Sequence, residues 1–362
     1  MITVLGGWRR DAREPGGIAG CSLVVPTYRR PAEMVKLLEH LCGLPDVPAE
    51  VVVVDGTPGD ETDRAIAAWA RGAALPFDLA VVRSPAGLTR QRNVGIDATT
   101  GALVFFLDDD CLPHPGYFAA IRAVYDADAA GEVGAVCGTP IEELDRPLSL
   151  RWRARLALRL APRDGEPGRY YPTATSVPRA LARPFTGTRR VDVMPGCAMS
   201  FRREVLERHR FSGFFHGYAQ GEDLEMSLRV GRDRVVLWCG DAHVTHEHAP
   251  GGRPASARKG RMEVRNRYFI WKRYSPRVPA RERVRFWLDI AYVLAWDVAS
   301  FARAPRAGGG HLAHAAGVVR GAVECWVSPP RYDEPPAARE YATSLVRVSD
   351  APSDAQPASS AS

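Results

Sequence analysis

Five short apolar runs, none alternating with polar residues, recur between residues 21 and 140: CSLVVP (21–26), EVVVVDG (50–56), FDLAVVR (77–83), ALVFFL (102–107) and VGAVCGTP (133–140). Between them lie stretches with helical spacing: Pro31 to Cys42, DETDRAIAAWARG (60–72), LTRQRNVGIDATTG (88–101) and PGYFAAIRAVYDAD (115–128). A strand that is apolar on both faces has to be covered on both faces. Strand and helix alternating in this way predict an α/β fold, with a mostly parallel central sheet between two helical layers. Pro31 stands where a helix starts, and Gly101 where the helix over 88–101 is expected to close.

Sheets of this kind bind ligands beyond the carboxyl ends of their strands. Three of those ends carry polar residues, at Pro26-Thr27-Tyr28, Asp55-Gly56 and Asp108-Asp109-Asp110, and the fold brings them to one rim. The three aspartates are the most demanding, because two carboxylates ~4 Å apart at an effective dielectric near 20 repel by about 4 kcal/mol. A solvated acidic turn before Pro113 is one way to relieve that repulsion. A divalent cation is the other: Mg2+ and Mn2+ take hard oxygen ligands, often one or two carboxylates completed by substrate phosphates. Asp108 and Asp110, two residues apart in extended chain, share a side, and Asp109 points elsewhere, to a sugar or a backbone donor.

Other segments offer chemistry with a plainer alternative beside each. Asp55 is placed to accept from a ribose or base, or to cap a turn. Arg90, Arg92 and Asn93 stand at a helix start, which favours anions, or on a solvated helix face. Glu222 and Asp223 open a helix after Gly221, where the helix dipole favours acids; the functional reading is a general base for an acceptor hydroxyl. HVTHEH holds His243, His246 and His248, with His246 and His248 on one face of an extended strand as metal ligands or as structural histidines. PGGRPASARKGR (250–261), with Arg253, Arg258, Lys259 and Arg261, reads as a flexible basic lid over a diphosphate, or as a linker.

Taken in order, SLVVPTYRRP (22–31), VVVVDG (51–56), TRQRNVGI (89–96), LVFFLDDDC (103–111), GCAMSFRRE (196–204), GEDLEMSLR (221–229) and the histidines at 243–248 resemble the family-2 glycosyltransferases of GT-A fold. The resemblance spans about residues 21–275, and RNRYFIWKRY (265–274) looks like that family's basic stretch after its mobile loop. It implies inverting transfer from a nucleoside-diphosphate sugar of UDP, dTDP or GDP type, dependent on Mn2+ or Mg2+. It implies Asp108 and Asp110 as metal ligands, with His246 or His248 completing the shell. Pro26, Thr27, Arg29 and Asp55 fall around the nucleotide, Arg92 and Asn93 line the donor pocket, and Asp108, Asp109, Arg253 and Arg258 contact the donor. Asp223 is the implied catalytic base, with Glu222 beside it. Asp55 is followed by Gly-Thr-Pro, where the family usually shows an acidic residue and then Ser, and the basic insert at 141–190 matches nothing in the pattern.

Two rival readings stand beside this one: a magnesium-dependent nucleotidyltransferase, and a nucleotide-sugar-binding or membrane-scaffold protein without turnover. A formal net charge of +6 favours anionic ligands, but no nucleic-acid reader motif is present, so nucleic acid is not an expected partner. Seven scattered cysteines without a C-x-x-C pair suggest neither a disulfide framework nor a zinc site, and fit buried thiols in a reducing cytoplasm. No signal-peptide core and no apolar run of membrane-spanning length is seen. The chain divides into an N-terminal extension (1–20), a catalytic domain (21–275), a C-terminal helical region (276–348) and a disordered Ser/Ala/Pro-rich tail (349–362). Helices are expected over 281–303, with Phe286, Ile290, Val293, Leu294, Val298 and Phe301 on one stripe interrupted by Asp297, and over about 311–326. That stripe suits the protein's own core, a second copy of the chain, or the inner membrane face beside a lipid-linked acceptor.

Overall fold

The computed structural model describes residues 3–11, 16–161, 165–215, 217–249, 255–305 and 308–331. Arg253 and the tail at 349–362 lie outside the described residues. The strands are β1 (Thr3–Trp8), β2 (Ile18–Thr27), β3 (Pro48–Asp55), β4 (Asp78–Arg83), β5 (Leu103–Leu107), β6 (Cys111–Pro113), β7 (Val133–Pro140), β8 (Tyr170–Tyr171), β9 (Thr175–Ser176), β10 (Thr188–Arg190), β11 (Ala198–Arg202) and β12 (Val235–His246). The helices are α1 (Pro31–Cys42), α2 (Glu61–Ala70), α3 (Leu88–Ala98), α4 (Tyr117–Ala127), α5 (Leu150–Ala157), α6 (Arg203–Arg208), α7 (Glu222–Val230), α8 (Ser256–Tyr274), α9 (Ala280–Arg303) and α10 (Gly309–Val327).

One sheet runs β1-β4-β3-β2-β5-β11-β7-β12-β10, with β6 paired to β12. Strands β2, β3, β4, β5, β7 and β12 share one direction, and β1, β6, β10 and β11 oppose it. The absence of alternation in the sequence has a direct cause. Val51 and Val53 pack under α1, α2 and α4 with Met34, Leu37, Ile66 and Phe118. Val52 and Val54 face the opposite layer with Val94 of α3, Leu206 of α6 and Met226 of α7. Within the N-terminal extension, β1 forms the sheet edge against β4.

Helix α3 ends at Ala98, one turn before Gly101, because Thr99 turns into extended backbone. Gly101 serves another purpose. A Cβ there would lie 2.6 Å from Ser22 Oγ and 2.8 Å from the Gly20 carbonyl, so glycine lets this turn sit against β2.

The basic insert contributes α5, whose Arg155 reaches the fully buried Asp289 of α9 (Nε to Oδ1, 2.7 Å), with Arg267 of α8 on the other oxygen at 2.6 Å. The stripe on α9 packs on the protein itself: Phe286, Ile290 and Val293 share a cluster with Val264 and Trp271 of α8 and Val318 of α10. Asp297 is buried and accepts from His314 Nδ1 at 2.6 Å, whereas Val298 faces outward at 49% exposure. Among the described residues no helix is long and apolar enough to cross a membrane.

Candidate active site

The carboxyl ends of β2 and β5, the N-terminus of α3 and the far end of β12 enclose a cleft of about 790 Å³. That is within the range of sites for nucleotide-sized ligands. Pro26, Thr27, Arg29, Asp108, Asp109, Asp110, His246, His248 and Arg258 line it, so most of the residues singled out from sequence converge here. Asp55, Arg92, Asn93, Glu222 and Asp223 are not in its lining.

The repulsion expected of the three aspartates is answered by protein cations, one group after another. Asp109 turns away from its neighbours, toward Thr27 and Arg30: it accepts from Thr27 Oγ1 and Arg30 Nη1, both at 2.8 Å. Burial pushes its carboxyl up to about 6 in spite of those two donors. Asp110 accepts from Arg30 at 3.2 Å and from the Ala249 amide at 2.9 Å, and its Oδ1 lies 3.2 Å from His246 Nε2. Burial works against ionisation of Asp110, but His246, Arg30 and the amide prevail and hold its pKa below the usual range. Asp108 faces Arg92 Nη2 at 3.3 Å.

Asp108, Asp110 and His246 place one ligand atom each within 4.8 Å of one another, and this O, O, N set fits a divalent cation. Burial lowers the His246 pKa, but Asp110 and the Cys197 sulfur outweigh it and raise it, so a cation bound here would displace a proton from the imidazole. His248 also lines the cleft, its ring 4.0 Å from that of His246, but it falls outside the ligand set.

Arg92 is the hub behind the cleft. Its side chain is 1% exposed; it donates to Glu222 Oε1 (2.8 Å), to the Gly196 carbonyl (2.8 Å) and to Asp108 (3.3 Å). Asp223 Oδ2 accepts the Gly196 amide at 3.1 Å. A continuous chain of polar contacts therefore joins Asp223 and Glu222, through Gly196 and Arg92, to Asp108. Burial and the adjacent Asp223 push Glu222 up to about 8 against the pull of Arg92.

Other placements depart from the sequence reading. Asn93 does not reach the cleft: it donates to the Phe211 carbonyl and accepts the Phe211 amide, both at 2.9 Å, pinning that segment to α3. Asp55 is fully buried; its Oδ1 accepts the Thr57 amide and its Oδ2 has no partner. Arg258 is not on a loop but in the first turn of α8, the helix that also carries Lys259 and Arg261. It crosses the cleft edge at Gly217, whose φ of +67° and missing side chain leave room: a Cβ there would lie 2.7 Å from Arg258 Nη2. Two residues were missed. Arg30 ties Asp109 and Asp110 together, and adjacent Arg29 looks no different in the sequence. Gln91 donates to the carbonyls of Thr27 and Val54, fixing α3 across two strand ends; its place one turn into a helix that opens on the rim was the available signal.

A search of curated proteins finds no match to this chain. Among solved structures it is similar to the mannosyltransferase PcManGT from Pyrobaculum calidifontis in complex with GDP-Man and Mn2+, at 21% identity and a TM-score of 0.49, covering 91% of this chain and 87% of that one. It is similar to GalNAc-T7 with UDP, GalNAc and Mn2+ at 17% identity and a TM-score of 0.46, covering 70% of this chain but only 49% of that one, about half its length. For glucosyl-3-phosphoglycerate synthase from Mycobacterium tuberculosis the values are 18% and 0.41, with 72% and 80% covered. The family model "Glycosyl transferase family 2" matches residues 22–210, just over half of the chain, from β2 through the aspartate strand end and the turn at Gly196 to the end of α6. With the sheet and its layers arranged as the GT-A fold requires, the chain belongs to glycosyl transferase family 2.

Proposed function

We propose that the protein moves a sugar, with inversion at the anomeric carbon, from a nucleoside-diphosphate sugar to an acceptor hydroxyl, with Mn2+ or Mg2+ on the donor diphosphate. The observation that carries this reading is the coupling of the two carboxylate sets, Asp108–Asp110 in the cleft and Glu222-Asp223 behind it, through Arg92 and Gly196. Asp108, Asp110 and His246 are the residues to hold the cation, and one nitrogen among their donors suits Mn2+ better than Mg2+. When bound, the cation supplies countercharge to the departing diphosphate. Arg258 and the α3 N-terminus at Gly87-Leu88, both on the cleft, are placed to receive the phosphates. Pro26, Thr27 and Arg29 border the nucleoside. Asp223, oriented by the Gly196 amide, takes the proton of the acceptor hydroxyl as that oxygen attacks. Burial and the neighbouring Asp223 raise the Glu222 pKa and Arg92 already engages its carboxyl, so Asp223 is assigned as the base of the pair. A panel of nucleotide sugars incubated with candidate acceptors tests the reading. The expected result is a product of inverted anomeric configuration by NMR; a retained configuration would refute it.

A separate observation favours association with a membrane surface. On α10, Leu312, Val319, Val323, Trp326 and Val327 form an outward row, with Trp326 74% exposed, and Val284 and Leu288 of α9 are also exposed. Exposed Arg281, Arg283 and Arg320 border that face, which matches an anionic bilayer such as the inner face of the cell membrane. Sedimentation with anionic and zwitterionic vesicles checks this: binding to the anionic vesicles alone, weakened by Trp326→Ala, is expected, and binding to neither overturns it.

A further inference from the structure

His246 belongs to two sets of ligand atoms. Besides the carboxylate set, Cys111 and Cys197 bring their sulfurs to the same imidazole, and the three ligand atoms again lie within 4.8 Å of one another. The fold makes this meeting. Cys111 pairs directly with His246 in the β6–β12 ladder, and Cys197 precedes Ala198, which pairs with Leu107 at the end of β5. Cys111 is fully buried and Cys197 is 6% exposed. Both are free thiols, and His246 Nδ1 is buried without a hydrogen-bonding partner.

Two sulfurs and an imidazole nitrogen are a donor set for a borderline-soft cation rather than for Mg2+. Metal–sulfur bonds of about 2.3 Å in a tetrahedron hold the ligand atoms ~3.5–4 Å apart, so the set needs to close by only about 1 Å. A neutral imidazole carries one lone pair; its second nitrogen holds the proton. His246 therefore ligates one cation at a time. Nε2 faces Asp110 and serves the carboxylate set, whereas the partnerless Nδ1 is free for the other.

We propose that Cys111, Cys197 and His246 form a second metal site, for Zn2+ or a cation of its class, and that its occupancy withdraws His246 from the carboxylate site. Zinc binding then weakens Mn2+ binding on the order of 10–100-fold, the usual effect of disturbing one ligand or its support. The exclusion rests on the function proposed above; the thiolate site itself does not.

The test uses the full chain, kept reduced, with Co2+ as the probe. The expected spectrum has a thiolate-to-cobalt charge-transfer band and tetrahedral d–d bands that Zn2+ abolishes and that are lost in Cys111→Ser and Cys197→Ser. In the wild type without variants, absence of a thiolate band already overturns the site, and so does a band that survives in the double serine variant. Mn2+ followed by EPR in the same samples tests the exclusion. One equivalent of Zn2+ should release Mn2+ from the wild type and not from the double serine variant, whose folding near-ultraviolet circular dichroism confirms. Equal release from both overturns the exclusion. Failure of zinc-free protein to bind Mn2+ overturns the carboxylate site and the exclusion together, while the cobalt band still decides the thiolate site, so the two failures are distinguishable.

Discussion

Replacing Arg92 by Met removes the cation that stands between the two carboxylate sets and nearly preserves side-chain length. Arg92 is 1% exposed, and its loss strands Glu222, 8% exposed at the side chain, along with the Gly196 carbonyl and one partner of Asp108. Breaking a buried pair from one side costs about 3–5 kcal/mol, a large part of the ~5–15 kcal/mol stability of a folded protein. Glu222 can soften that cost by taking up a proton. Its folded pKa, about 8, already exceeds the ordinary carboxylate value, so its stabilising contribution is full below the unfolded pKa and is lost as pH rises through about 8. Without Arg92 the folded value climbs further. The penalty of Arg92→Met should therefore grow between about pH 6 and about pH 9. In a Glu222→Gln background it should shrink by ~0.5–3 kcal/mol, the coupling expected of residues in contact. Urea denaturation of the wild type, both single variants and the double variant at the two pH values measures this. A penalty below about 1 kcal/mol, or one indifferent to pH and to Glu222, would refute the assignment of Arg92 as the hub.

Three other expectations follow from the same contacts. Asp289→Asn leaves Arg155 and Arg267 facing a neutral group at a fully buried position and should cost about 3 kcal/mol, read as a lowered Tm. Glu263, held down to about 2 mainly by its hydrogen bond from His314 against the cost of burial, contributes stability above its unfolded pKa that is lost as pH falls through about 2; His314, raised chiefly by Glu263, contributes stability below its unfolded pKa that is lost as pH rises through its folded value. Amide-exchange protection factors in α8–α10, corrected for the intrinsic pH dependence of exchange, should thus be greatest between about pH 4.5 and 6.5, and His314→Leu should remove the alkaline loss. Gly217→Ala strains a φ of +67° by about 1–2 kcal/mol and displaces Arg258, so donor KM should rise more than kcat falls in steady-state kinetics.

The parallel half of the sheet was legible because its strands are buried on both faces and its helices carry a clear 3.6 period. The directions of β11 and β10 were not, since an antiparallel strand inserted between β5 and β7 carries the same apolar residues as a parallel one. The aspartate cluster announced itself by its unfavourable charge, and the structure relieves that charge with Arg30, Arg92 and His246, which no local pattern joins to it. The resemblance sets Arg92 and Asn93 side by side in the donor pocket, but the helix turns the two apart, Asn93 to Phe211 and Arg92 to Glu222. Cysteine spacing argued against any thiolate site. Cys111 and Cys197 meet only because β5, β6, β11 and β12 gather at one end of the sheet.

The most direct measurement is release of nucleoside diphosphate from a panel of nucleotide sugars, with and without Mn2+ or Mg2+, by the wild type, Asp110→Ala and Asp223→Asn. The account predicts release from one donor that requires the metal, vanishes in Asp110→Ala, and falls by ~10²–10⁴ in Asp223→Asn, the range of a lost general base. Release that proceeds undiminished without metal, or in either variant, would contradict it.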